Sequence, residues 1–175
     1  MKIQQMSLVA LMAAILCIAG PLTIPVGPVP VSVLPILLYL IAYILGMWRA
    51  TVSCLVYICI GMIGIPVFSG YTGGPAVLLG PTGGYIIGYL MLTICSGFFI
   101  EKFINKRWQL FGMVLGLMFC YLTGTVWLKV ATDLTFGQAL LTGVVPFFVF
   151  DFIKIAAALF VGPVFRRHLR KANVI

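Results

Sequence analysis

The chain has 175 residues, 63% of them hydrophobic and 8% charged, and eleven Lys+Arg against three acids leave a formal net charge of +8. Soluble domains carry about 25% charged residues, so this composition, with a mean hydropathy of +1.22, excludes a water-soluble core and marks an integral membrane protein. At roughly 20 apolar residues per membrane helix, the length allows about six spans in a single domain covering residues 1–175, with no room for a soluble one.

The basic surplus does not point to nucleic acid, because the charges fall in short clusters between apolar runs, the positive-inside pattern. Cys17, Cys54, Cys59, Cys95 and Cys120 are scattered through apolar runs without a CxxC, and the only histidine, His168, sits in a basic tail. Neither a metal site nor a disulfide framework is expected, and the cysteines read as small hydrophobes.

Helix 1 is predicted from about Gln5 to Ala19, a first membrane span rather than a signal peptide because further spans follow. Ser7, Ala10, Ala14 and Cys17 form a stripe of small residues along it, with Ala13 beside. Such a stripe serves close packing, either within the protein or against a partner membrane subunit. Gly20-Pro21 ends the helix, and Gly20 to Pro30, with four prolines and no charge, reads as an extended connector. Helix 2 follows from about Val31 to Trp48, closed by Trp48-Arg49 as an interface anchor. Helix 3 is short, about Ala50 to Gly64.

The stretch from Gly70 to Tyr85 holds five glycines and two prolines between Gly70 and Gly83, inside a run from Ala50 to Ile100 without Asp, Glu, Lys or Arg. It cannot be one ordinary helix. Irregular apolar backbone is tolerated in a membrane only where it is buried in protein or lines a cavity. The stretch is therefore read as a loop folded over the core, closing a small-molecule pocket. It lacks the GK[ST] ending of a phosphate-binding loop, which argues against nucleotide binding.

Helix 4 runs from near Gly83 to near Phe103, with Gly84 and Gly88 placed for close packing. A charged loop, Glu101 to Trp108, leads to helix 5, about Leu110 to Ala131. Lys129 and Asp133 at its end read as an interfacial i,i+4 pair with Lys129 snorkelling. Helix 6 opens on a Thr135/Gln138 capping box, kinks at Pro146 and reaches about Gly162. The tail, Arg166 to Lys171, is an orientation signal that also suits anionic lipid headgroups. Lys2, Arg49, the Lys102/Lys106/Arg107 loop and the tail then share the cytoplasmic side, both termini included. The connector, the glycine loop and Asp133 share the outer side.

The chemistry concentrates in helix 6. Asp151 and Lys154 are three residues apart, on one face, near the middle of the span. A charge there costs about 2.5–3.5 kcal/mol on insertion scales. The pair is either a self-neutralising ion pair or the polar part of a ligand site, suited to a solute offering both N–H groups and a carbonyl or carboxylate. No Ser/His/Asp set or metal cluster is apparent, so catalysis is not expected.

Gly64-Ile65-Pro66-Val67-Phe68-Ser69-Gly70, Gly73-Gly74, Val77-Leu78-Leu79-Gly80-Pro81-Thr82-Gly83-Gly84-Tyr85, Pro146-Phe147 and the Asp151/Lys154 pair together resemble the BioY family. These are the biotin-specific S components of energy-coupling-factor (ECF) transporters. The resemblance covers nearly the whole chain. It implies an all-α integral membrane protein of six transmembrane helices, with a Gly-rich external loop between helices 3 and 4 capping the ligand pocket. It implies biotin as transported ligand, with Asp151 and Lys154 on the ureido ring or the carboxylate, and Thr72, Gly73, Thr82 and Tyr85 as further contacts.

The Ala10/Ala14 pair is similar to the AxxxA motif through which S components meet their T subunit, which works with two ATP-binding-cassette ATPases in the bacterial cell membrane. The resemblance implies no cofactor on this chain, ATP being used by the partners. Two departures stand out: Leu34 replaces a glutamine usual after the connector, and Phe150 replaces a glycine before the helix-6 acid. Competing readings are an S component for riboflavin or thiamine, and a small membrane enzyme acting on lipid.

Overall fold

The computed structural model describes residues 3–24 and 29–172. Lys2 and part of the proline-rich connector, both used in the orientation argument, lie outside the described residues. The helices are α1 (Ile3–Ala19), α2 (Leu34–Met62), α3 (Pro75–Leu79), α4 (Gly83–Lys102), α5 (Lys106–Thr132), α6 (Phe136–Gly143) and α7 (Val145–Lys171). Two short strands, β1 (Thr23–Ile24) and β2 (Val31–Ser32), pair antiparallel across the connector, with Thr23 opposite Ser32. Helices α2, α4, α5 and α7 are long and apolar enough to cross a membrane, and α1 is a shorter apolar helix of 17 residues.

Helix α2 doubles back on itself. Leu34, at its start, and Tyr57, near its end, line the same small cavity. In a straight helix they would stand about 35 Å apart. The reversal is at Gly46 (φ 77°, ψ −178°), a conformation open to glycine and strained for other residues. The Glu101 side chain packs where a Cβ at position 46 would lie. Separate helices 2 and 3 were expected, and the halves 34–45 and 47–62 are those two segments, but the Trp48-Arg49 boundary is corrected to Gly46. Trp48 is exposed and already helical.

Other boundaries also move. The single helix expected from Thr135 to Gly162 is two helices, α6 and α7, parted at Val144 (φ −126°, ψ −51°). Pro146 does not kink a continuous helix. It sits in the first turn of α7, where its missing N–H has no partner to lose. The Thr135/Gln138 capping box is formed. Helix α7 continues past Pro163 through the basic tail. Helix α5 begins earlier than expected because the Asn105 side chain caps it, accepting from the Arg107 N–H at 3.0 Å. Lys129 and Asp133 form no ion pair among the described residues. Asp133 has left the helix for the left-handed region (φ 54°), so the i,i+4 geometry is lost.

The glycine stretch is irregular, as expected, and its backbone is satisfied internally. It comprises a 3-10 turn at Ser69–Tyr71, the short α3, and the start of α4. The Gly74 N–H donates to Gly61 O at 2.7 Å and the Phe68 N–H to Thr72 O at 2.9 Å. The Tyr57 hydroxyl donates to Val67 O at 3.2 Å, and the Trp127 indole N–H to Gly80 O at 3.0 Å. Phe68 is fully buried, edge-on to Tyr57.

Helices α4 and α5 pack closely through glycines on both. A Cβ on Gly84 would lie 2.6 Å from the Thr123 carbonyl, and one on Gly88 2.9 Å from Cys120 Cα. Backbone cannot yield as a side-chain tip can. Gly84→Val is therefore expected to destabilise the protein by about 1–3 kcal/mol through overpacking, read as a lower thermal midpoint in detergent.

Candidate functional site

Helix α7 carries Asp151 two turns in from its start, facing the bundle. Asp151 is 5% exposed. Its Oδ1 accepts from Lys154 Nζ at 2.7 Å, and its Oδ2 from the Tyr121 hydroxyl of α5 at 2.6 Å. Lys154 Nζ also donates to Ser32 O of β2 at 2.7 Å. The pair is thus held by three elements and is the ion pair formed among the described residues.

The self-neutralising reading and the ligand-site reading are not exclusive here. An ionised carboxylate offers about four acceptor positions and an ammonium three donors. The contacts above use two of each group's capacity, so one donor and two acceptor positions are left over. Beside the pair lies a cavity of about 40 Å³, lined by Asp151, Lys154, Tyr121, Tyr85, Tyr89 and Phe147, with Val29, Pro30 and Ser32 of the connector. A second cavity of about 40 Å³ adjoins it. Val29, Pro30, Ser32, Tyr85 and Tyr89 line both, and Gly20, Leu34, Tyr57, Ser69, Thr82 and Ile86 complete the second.

The sequence-derived site residues divide on this geometry. Asp151, Lys154 and Tyr85 meet at the first cavity. The Tyr85 hydroxyl donates to Gly143 O at 2.9 Å, tying α4 to the joint between α6 and α7. Thr82 lines the second cavity. Thr72 and Gly73 line neither. The Thr72 hydroxyl donates to Ser69 O within the loop, and Gly73 packs against the backbone of Gly64 and Ile65. Ala10 and Ala14 are exposed on α1, whereas Val9, Ala13 and Leu16 are buried. Leu34, standing where the resembled pattern carries glutamine, gives the second cavity an apolar wall.

Tyr121, Tyr89 and the Ser32 carbonyl were not foreseen. A tyrosine in mid-span needs a partner for its hydroxyl, which is a signal for Tyr121 but not for which group it meets. No sequence signal marks a backbone carbonyl on a distant connector.

These features define a multi-pass helical membrane protein with an ion pair buried among its helices beside two small adjoining cavities. The sequence matches the BioY family over residues 1–171. It is 37% identical over 162 residues to a probable biotin transporter BioY of Pyrococcus horikoshii, covering 93% of this chain and 96% of that one. It is 34% identical over 173 residues to biotin transporter BioY2 of Lactococcus lactis subsp. cremoris, covering 98% and 95%. The fold matches a crystal structure of the S-component for biotin from an ECF-type ABC transporter, with a TM-score of 0.84 and 31% identity over 97% of this chain and 92% of that chain. The chain belongs to the BioY family.

Removing one member of a buried ion pair strands the other charge, at about 3–5 kcal/mol. Lys154→Met alone should lower thermal stability by that order in detergent. The double variant Asp151→Asn/Lys154→Met should lose less than Lys154→Met alone, because no charge is left unpaired.

Proposed function

We propose that this chain is the high-affinity biotin-binding S component of an ECF-type uptake transporter. It is a transport protein and not an enzyme. The observation that carries the reading is the Asp151–Lys154 pair, anchored by Tyr121 and Ser32 yet left with spare donor and acceptor capacity beside a cavity. Biotin offers two ureido N–H donors, a ureido carbonyl, an apolar sulfur ring and a carboxylate tail. The spare acceptor positions of Asp151 suit the N–H groups, and the spare donor of Lys154 suits the carbonyl or the carboxylate. Tyr85, Tyr89 and Phe147 supply surface for the apolar ring.

A cavity of about 40 Å³ holds only a few waters, so the ligand requires the two cavities to merge. Their shared wall, Ser32, Tyr85 and Tyr89, is where that separation would occur. In this reading the Gly-rich loop is the external cap. Ser69 and Thr82 border the second cavity, and Thr72 and Gly73 follow the loop as it closes on the ligand.

The same reading counts α1, the two halves of α2, α4, α5 and α7 as six spans, with both termini cytoplasmic in a bacterial plasma membrane. The chain binds no cofactor of its own. A T subunit and two ATP-binding-cassette ATPases supply the energy. Ala10 and Ala14 are the proposed T-subunit contact, supported by their exposure on a helix whose buried face is a different one.

Two measurements test this. Asp151→Asn and Lys154→Ala are each expected to weaken biotin binding at least tenfold, about 1.4 kcal/mol, by isothermal titration in detergent. Near-native affinity in both discards the site, and stronger binding of riboflavin or thiamine than of biotin discards the ligand. Ala10→Leu/Ala14→Leu is expected to abolish co-purification with the T subunit while leaving biotin affinity within twofold.

A further inference from the structure

A second concavity lies at the other end of α7. Arg166 is about 22 Å along the helix from Asp151. The concavity measures about 640 Å³, and five of the chain's eleven Lys and Arg line it. Lys106 comes from the start of α5, and Arg166, Arg167, Arg170 and Lys171 from the end of α7. Glu101 is the one carboxylate in the lining, and none of the five cations is ion-paired among the described residues.

The floor of the pocket is fixed by bonds internal to the protein. Arg166 Nη1 donates to Ile100 O at 3.1 Å. The Gln109 amide donates to Phe103 O at 2.8 Å and its oxygen accepts from the Tyr43 hydroxyl at 2.8 Å. Arg167, Arg170 and Lys171 are exposed above it. The rim also has an apolar side. Ile104 is 99% exposed, Phe103 stacks on the half-exposed Trp108, and Lys106 Nζ lies 5.3 Å from the centre of the exposed Phe160 ring. Aromatic and basic side chains together at the end of apolar spans mark the level of the headgroups. Basic pockets between helices at this level suit anionic headgroups.

We infer that this pocket binds the phosphate headgroup of an anionic phospholipid, with the acyl chains passing over Ile104 and Phe160. An acidic polypeptide would satisfy the cations but leave the apolar rim uncovered. A lipid addresses both, and the negative charge offsets a local excess of cations that the protein itself does not neutralise.

The test uses the purified full chain in dodecyl maltoside. Its thermal midpoint is measured with added dioleoylphosphatidylglycerol, dioleoylphosphatidylcholine, inorganic phosphate or poly-glutamate. Phosphatidylglycerol is expected to raise the midpoint by about 4 °C or more, and the other three by less than half of that. Arg167→Gln/Arg170→Gln/Lys171→Gln should remove most of the phosphatidylglycerol shift without altering the midpoint in phosphatidylcholine. An equal shift from phosphatidylcholine, from phosphate or from poly-glutamate overturns the inference, as does an undiminished shift in the variant. Should the triple variant fail to fold, native mass spectrometry of Arg167→Gln decides. Reduced retention of phosphatidylglycerol is expected, and undiminished retention overturns the proposal.

Discussion

A carboxylate that is 5% exposed inside a membrane bundle dictates what must surround it. Water cannot solvate it there, so protein groups must. Lys154 answers from the same helix, Tyr121 from α5, and Ser32 of the connector holds the lysine in turn. These bonds draw α5, α7 and the connector to one point. Each charged group keeps bonding positions that these contacts leave unfilled, and a small cavity lies beside them.

The second constraint is that backbone polar groups in a membrane need partners within the protein. The chain departs from helix at Gly46, through the glycine stretch and at Val144, and the glycine stretch is tied down by named partners. The Gly74 N–H finds Gly61 O, and the Trp127 indole covers Gly80 O. At the joint between α6 and α7, the Gly143 carbonyl takes the Tyr85 hydroxyl. Tyr85 therefore does two things at once: it walls the cavities and satisfies a helix end. One side chain thus joins the wall of both cavities to the α6–α7 joint.

Helix α7 links two chemically different ends. Its first half bears the Asp151–Lys154 pair beside the cavities, and its last two turns bear cations that form no ion pair among the described residues. Gly162 lies between them, where any side chain would strike the Tyr43 ring. The helix is thus held against α2 between the buried pair and the cationic end, closer to the latter.

Much of this was legible in the residues. Membrane class, the irregularity of the glycine stretch, the close-packing glycines of α4 and the pairing of Asp151 with Lys154 follow from hydrophobicity, backbone permissiveness and the cost of buried charge, all properties of local sequence. The placement of breaks was less legible. Trp48-Arg49 looks like a helix end by composition, but the turn occurs at Gly46, where the backbone takes a positive φ that suits glycine. Lys129 and Asp133 have helical spacing, yet Asp133 itself has turned into the left-handed region. Tertiary structure alone decided that Tyr121 and a carbonyl on a remote connector complete the buried pair, that Thr72 and Gly73 stay within their own loop, and that Lys106 joins the α7 cations around one pocket. Periodicity reports which face of an element is apolar. It carries no information about which distant element arrives to meet that face, and hydrogen bonds and enclosed space depend on the arrival.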